Sequence, residues 1–211
     1  MHYITSRVRN FAPLLSIIIL LSAFLSSCGS TQTIVDLESN VPKWIPDSGK
    51  YYQDVAGHFP QFAGVWTGLD ADTNQLTITL DYYQQLNTNY GLFMDCLIGE
   101  YEYASSLGQV TLSPSRNISE PMSSPVGIFY TISSTDHPQC VSCAGNEARA
   151  VVTLLHHQNA LIESEYLARL SQVNGQDVLT LSYYTSSNVS NDPNLSDKPV
   201  VAPHEFVLYR Q

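Results

Sequence analysis

Several acidic and imidazole side chains stand at spacings that could do chemistry. Asp70, Asp72 and Asn74 give D-x-D-x-N, the opening of a calcium loop, but Gln75 stands where the loop's Gly is expected. An acidic hairpin turn, tied by side-chain-to-backbone bonds, accounts for the same three residues. Glu100 with Glu102, and Glu163 with Glu165, fall on shared strand faces. Paired carboxylates can hydrolyse glycosides, yet outward acids on amphipathic strands have the same pattern, and that reading is preferred here. His156 and His157 are adjacent at a strand end, so their side chains point opposite ways and suit a solvated turn better than a shared metal. Asp95 alternates with Leu97, Gly99, Tyr101 and Tyr103 on one strand face. If that face is interior, Asp95 needs a partner: a Tyr hydroxyl first, a ligand second. Asp95, Tyr101 and Tyr103 are therefore the ligand-binding candidates. No G-x-S-x-G, H-E-x-x-H, P-loop or G-x-G-x-x-G occurs, so no enzyme and no cofactor are expected.

The covalent chemistry expected is at Cys28. Arg7 and Arg9 form a short positive segment, and Phe11 to Leu25 is an apolar run of about 15 residues. That is short of the roughly 20 needed for a membrane-spanning helix. The run ends in Leu25-Ser26-Ser27-Cys28, which resembles the bacterial lipobox. Residues 1–27 are then a lipoprotein signal peptide. Cys28 would carry a thioether lipid and acyl chains such as palmitate. The other readings are an ordinary cleaved signal with an incidental Cys, and an uncleaved anchor. Cleavage removes both arginines and leaves seven basic against nineteen acidic residues, a net charge of −12. Anionic headgroups would repel such a body, so the acyl chains must hold the membrane partner. Gly29 rather than Asp follows Cys28, which resembles the sorting pattern for the outer membrane.

Export places Cys96, Cys140 and Cys143 in an oxidising compartment with an odd count. One bridge and one free thiol is the simplest account, with Cys140–Cys143 as the candidate disulfide in a structural loop, or no bridge at all. Redox catalysis by this C-x-x-C lacks a helix N-terminus to stabilise a thiolate. His137 with Cys140 and Cys143 could begin a zinc site, but no fourth ligand is evident nearby, and no metal site is expected.

The elements that must position these residues are strands. Charged residues are 13% of the 211-residue chain and hydrophobics 44%, which excludes a disordered acidic tail and a coiled coil. The acidic balance argues against nucleic acid. Residues 28–50 are polar, carry Pro42 and Pro46, and suggest a flexible tether. One domain is expected over 51–211. Alternating Leu76, Ile78, Leu80 and Tyr82 mark a half-buried strand. Further strands are expected at Phe93–Tyr103, Val126–Ser133, Arg149–His156 and Glu205–Arg210. Asn174-Gly175 marks a two-residue hairpin turn. It pairs Leu170 with Leu179, Ala168 with Leu181 and Tyr166 with Tyr183 on an apolar face. Leu167 with Ser182, Arg169 with Thr180 and Glu165 with Tyr184 fall on the other. Some 8–9 strands in short turns predict an up-and-down antiparallel β-barrel, with a β-sandwich as the alternative. A polar loop, Thr185 to Pro203, would lie at one end.

Phe62-Ala63-Gly64-Val65-Trp66 resembles the opening of lipocalins and related calycins. Together with Tyr51-Tyr52-Gln53-Asp54 and Asp95-Cys96-Leu97-Ile98-Gly99-Glu100-Tyr101-Glu102-Tyr103, it is similar to a family of small exported bacterial proteins of unknown function. The shared motifs are YYxD, FxGxW and DxLxGxYxY. The lipocalin resemblance implies that Trp66 plugs the closed barrel end and that Arg210, from the last strand, lies across it. The function expected is that of a lipid-anchored envelope barrel binding a small, partly apolar ligand. The alternative is a structural or protein-interaction module with no ligand cavity.

Overall fold

The computed structural model describes residues 32–37, 49–88, 91–128, 131–132, 149–156, 159–188 and 205–211. Cys28, His137, Cys140, Cys143 and His157 lie outside them, as do residues 1–27. From Thr33 to Gln211 the chain forms one compact unit. Its elements are β1 (Thr33–Asp36), β2 (Lys50–Gln53), a one-turn helix α1 (Phe59–Phe62), β3 (Gly64–Leu69), β4 (Gln75–Asn87), β5 (Phe93–Ala104) and β6 (Val110–Leu112). There follow β7 (Val126–Ile128), β8 (Thr131–Ile132), β9 (Arg149–His156), β10 (Asn159–Val173), β11 (Gln176–Asn188) and β12 (Phe206–Arg210).

Eight of these strands, β3, β4, β5, β7, β9, β10, β11 and β12, follow one another around a closed antiparallel barrel. Closure has two seams. Arg210 pairs with Trp66 where β12 meets β3, and Leu97 pairs with Ile128 where β5 meets β7. First and last barrel strands being neighbours sets the sandwich aside. Alternation fills the interior: Trp66, Leu76, Ile78, Leu80, Leu97, Val152, Leu179, Leu181, Phe206 and Leu208 are all buried.

Three sequence expectations need correction. Thr33–Asp36, inside the supposed tether, is a strand that pairs in parallel with β2, and Leu37 after it is buried. Its Thr-Ile-Val run suits an edge strand, and flanking polar residues and prolines hid it. The hairpin register holds from Tyr166 to Val173, but Glu165 pairs with Thr185 rather than Tyr184 because a bulge intervenes between Glu165 and Tyr166. Thr185 to Asn188, read as the start of a loop, extends β11.

Candidate functional site

The barrel has two unlike ends. The closed end is built around Trp66. Its indole Nε1–H donates to the Phe62 carbonyl of α1 at 2.8 Å, and Phe59 and Phe62 bury themselves beneath the strands. Gly64 holds φ +127°, and a Cβ there would meet Arg210 Nη1 at 2.8 Å. The G-x-W pattern therefore has a local cause: glycine makes room for the guanidinium and takes a backbone angle other residues avoid. Arg210 lies over the Trp66 ring, 4.2 Å from its centroid. Its nitrogens also donate to the Ala63 and Gln61 carbonyls and, at 2.9 Å, to Asp177 Oδ2. The exposed Asp177 carboxyl is held below its usual range by the Gln172 amide and then by Arg210. A cleft of about 350 Å³ opens beside them, lined by Gln61, Leu170, Ser171, Gln172, Asp177 and Arg210.

Asp95 is 1% exposed on the inner face of β5, near the same end. Its Oδ1 accepts from the Tyr51 hydroxyl at 2.6 Å and from the Gln85 amide at 2.8 Å; its Oδ2 accepts from the Asp54 amide at 3.0 Å. Asp54 in turn caps α1, accepting from the His58 and Phe59 amides. Burial and then the Asp95 carboxylate push the Tyr51 hydroxyl well above its usual range. Burial and the Asp95 and Asp54 charges push Tyr82 up to about 12. Burial pushes the Cys96 thiol up to about 12, which makes it an inert core group.

The half of the barrel away from Trp66 and α1 carries the tyrosines. Tyr101 and Tyr103 project inward from β5, and Tyr166 and Tyr183 from the β10–β11 hairpin. The Tyr166 and Tyr183 rings meet edge to face at 5.7 Å. Burial, followed by the proximity of the Tyr183, Tyr103 and Tyr101 hydroxyls, drives the Tyr166 hydroxyl above its usual range. Tyr101 donates to the Leu155 carbonyl at 3.0 Å, and the fully buried Ser164 adds a hydroxyl to the same half. Tyr103 and Tyr183 are half-buried, whereas Tyr101 and Tyr166 are buried. This grouping places aromatic surface and hydroxyls together, which suits a ligand that is partly apolar.

The chain belongs to the family of unknown function DUF6705. The family model matches residues 13–211. No curated protein and no solved structure matches the chain.

The structure thus separates the ligand-binding candidates. Tyr101 and Tyr103 join the tyrosine cluster with Tyr166 and Tyr183, while Asp95 sits in the network with Tyr51 and Asp54 near α1. Tyr51 and Asp54, the ends of the YYxD motif that carried the family resemblance, partner Asp95; the sequence alone assigned that motif no structural role. Tyr166 and Tyr183 complete the cluster, and the hairpin register already placed them side by side. Asp70 Oδ1 accepts from the Asp72 and Asn74 amides, and Oδ2 from the Asn74 side chain, so the D-x-D-x-N residues knit a turn. Glu100 and Glu102 face outward on β5, and Glu100 Oε1 accepts from the Arg116 amide. Glu163 and Glu165 are both half-buried on β10. Among the described residues no group of three His, Cys, Asp or Glu is placed to hold a metal.

Proposed function

We propose that the chain is a non-catalytic lipoprotein of the cell envelope, anchored in the outer membrane through Cys28, whose barrel takes a small, partly apolar ligand at its open end. The convergence of Tyr101, Tyr103 and Tyr183 on Tyr166 carries this reading. Rigid aromatic rings bring apolar area at small entropic cost, and hydroxyls fix orientation. Native mass spectrometry of the acylated protein extracted from its own membranes tests it. A small-molecule adduct should accompany the protein and disappear in Tyr183→Ala. Protein that always arrives without an adduct, even after incubation with envelope extract, overturns the ligand reading.

A second reading has its own support. The Trp66 half of the barrel is packed with buried side chains, which suits an envelope interaction module without a cavity. Unchanged envelope partners on pull-down after deletion of residues 189–203, which lie outside the described residues, would remove that polar segment as the contact surface of such a module.

A further inference from the structure

The strand β1 changes how far a lipidated Cys28 can stand from the barrel. Thr33, where β1 begins, is only five residues beyond Cys28. A fully extended chain of that length reaches about 18 Å. The residues 28–50 that looked like a long tether therefore give a short leash, because the fold takes hold of the chain at Thr33.

The register shows where the leash is attached. Ile34 pairs with Tyr51, and Tyr51 with Phe93 at the start of β5. β1 and β2 run parallel to β5, so Thr33 lies one step outside Phe93, on the closed-end side. Tyr103, at the tyrosine mouth, is ten residues further along β5. Ten strand residues cover about 33 Å along the strand, or roughly 25 Å along the axis of a barrel whose strands tilt about 40°. That span exceeds the leash. The mouth cannot be brought down onto the bilayer that holds the acyl chains.

We propose that the closed end of the barrel, with β1, β2 and the turn after β2, faces the bilayer, and that the tyrosine mouth opens away from it. The partner surface is the lipid headgroup layer in which Cys28 is anchored, so the inference rests on the lipoprotein reading above. The net charge of −12 leaves the body no attraction of its own for anionic lipid. Orientation then comes from the leash and its point of attachment. A ligand would enter from the aqueous side, or from a partner there, rather than from the supporting membrane.

Depth-dependent quenching tests this on the acylated full-length mature protein in phosphatidylethanolamine–phosphatidylglycerol vesicles that carry a headgroup quencher. A fluorophore is attached through a genetically encoded azide at Val55, exposed in the turn after β2, or at Leu107, 88% exposed in the turn at the open rim. Quenching at Val55 should exceed that at Leu107 severalfold. A flexible insert of about 30 Gly and Ser residues after Gly29, with a mean span of roughly 30 Å, should bring the two close to equal. Acylated protein with Leu107 quenched as strongly as Val55 overturns the orientation alone. A difference that survives the insert overturns the leash as its cause. A mature N-terminus that lacks the acyl mass removes the lipoprotein reading, and this inference with it.

Discussion

The Arg210 guanidinium lies 4.2 Å from the centroid of the Trp66 ring, and the two residues face each other across the β12–β3 seam. One side chain therefore joins the last strand to the first, and its hydrogen bonds to the Gln61 and Ala63 carbonyls bring the chain before β3 into the same joint. A cation–π contact of this kind contributes about 0.5–2 kcal/mol, according to its desolvation. Trp66→Ala should cost about 3–5 kcal/mol, because the ring is fully buried. Arg210→Ala should cost less. Urea denaturation of both single variants and the double variant should show a coupling of at least about 0.5 kcal/mol. Strict additivity would mean that the contact carries no energy.

Gly175 holds φ +81° and Asn174 φ +54° in the turn between β10 and β11. Two successive positive φ angles match the twist of a two-residue hairpin. A Cβ at Gly175 meets nothing within 4 Å. Crowding therefore plays no part, and Gly175→Val isolates the backbone term. A β-branched residue there should cost about 1–3 kcal/mol, lowering Tm by roughly 2–10 °C for a domain of this size. Gly175→Asn should recover most of the loss. Thermal melts followed by circular dichroism give both numbers.

The same turn shows how much of the fold was legible. Asn-Gly fixes a loop length, the loop length fixes a register, and the alternation of Tyr166, Ala168 and Leu170 fixes the inward face. Barrel closure followed from strand count and from the edges a meander must hide. What escaped was non-local. Nothing between Thr33 and Asp36 announces that the segment adds itself to β2, since a four-residue edge strand has too little pattern to detect. The bulge at Glu165 leaves no residue signature. Asp95 could be recognised as a buried group in need of donors. Two of its three, however, are backbone amides of Asp54 and Gln85, whose positions depend on folding around it. The tyrosine cluster was half visible, because strand alternation groups Tyr101 with Tyr103 and separately Tyr166 with Tyr183. Only the closed barrel brings the two pairs together.

Cys28→Ser tests the anchor that the proposed function requires. Without a thioether lipid the mature body has only its net charge of −12 to offer a membrane. The variant should leave the membrane fraction for the soluble one after a salt wash. Metabolic labelling with radioactive palmitate should mark the wild type and miss the variant. Retention of the variant on washed membranes means that the lipobox reading is wrong.

Tyr51 and Asp95 give a prediction with a definite sign. The Tyr51 hydroxyl donates to Asp95 Oδ1 at 2.6 Å, and burial with the neighbouring carboxylate makes its ionisation harder than in the unfolded chain. Tyr82 behaves alike, reaching about 12 in the fold. Above about pH 10 the unfolded chain releases these protons while the folded one keeps them. Stability from the two groups is therefore full below about pH 10. It is lost progressively as pH rises through the raised folded values. Each such proton contributes a slope of about 1.4 kcal/mol per pH unit within that window. Tyr51→Phe removes one of them, so the fall in urea-derived stability between pH 10 and 12 should become shallower by roughly that slope. At pH 7 the same variant should lose about 1.5–3 kcal/mol, the cost of taking a hydrogen bond from a charged partner. Asp95→Asn should flatten the alkaline slope as well, since it removes the charge that opposes ionisation of both tyrosines. If Tyr51→Phe lowers stability at pH 7 but leaves the alkaline slope unchanged, the hydroxyl packs in the fold without being held to Asp95.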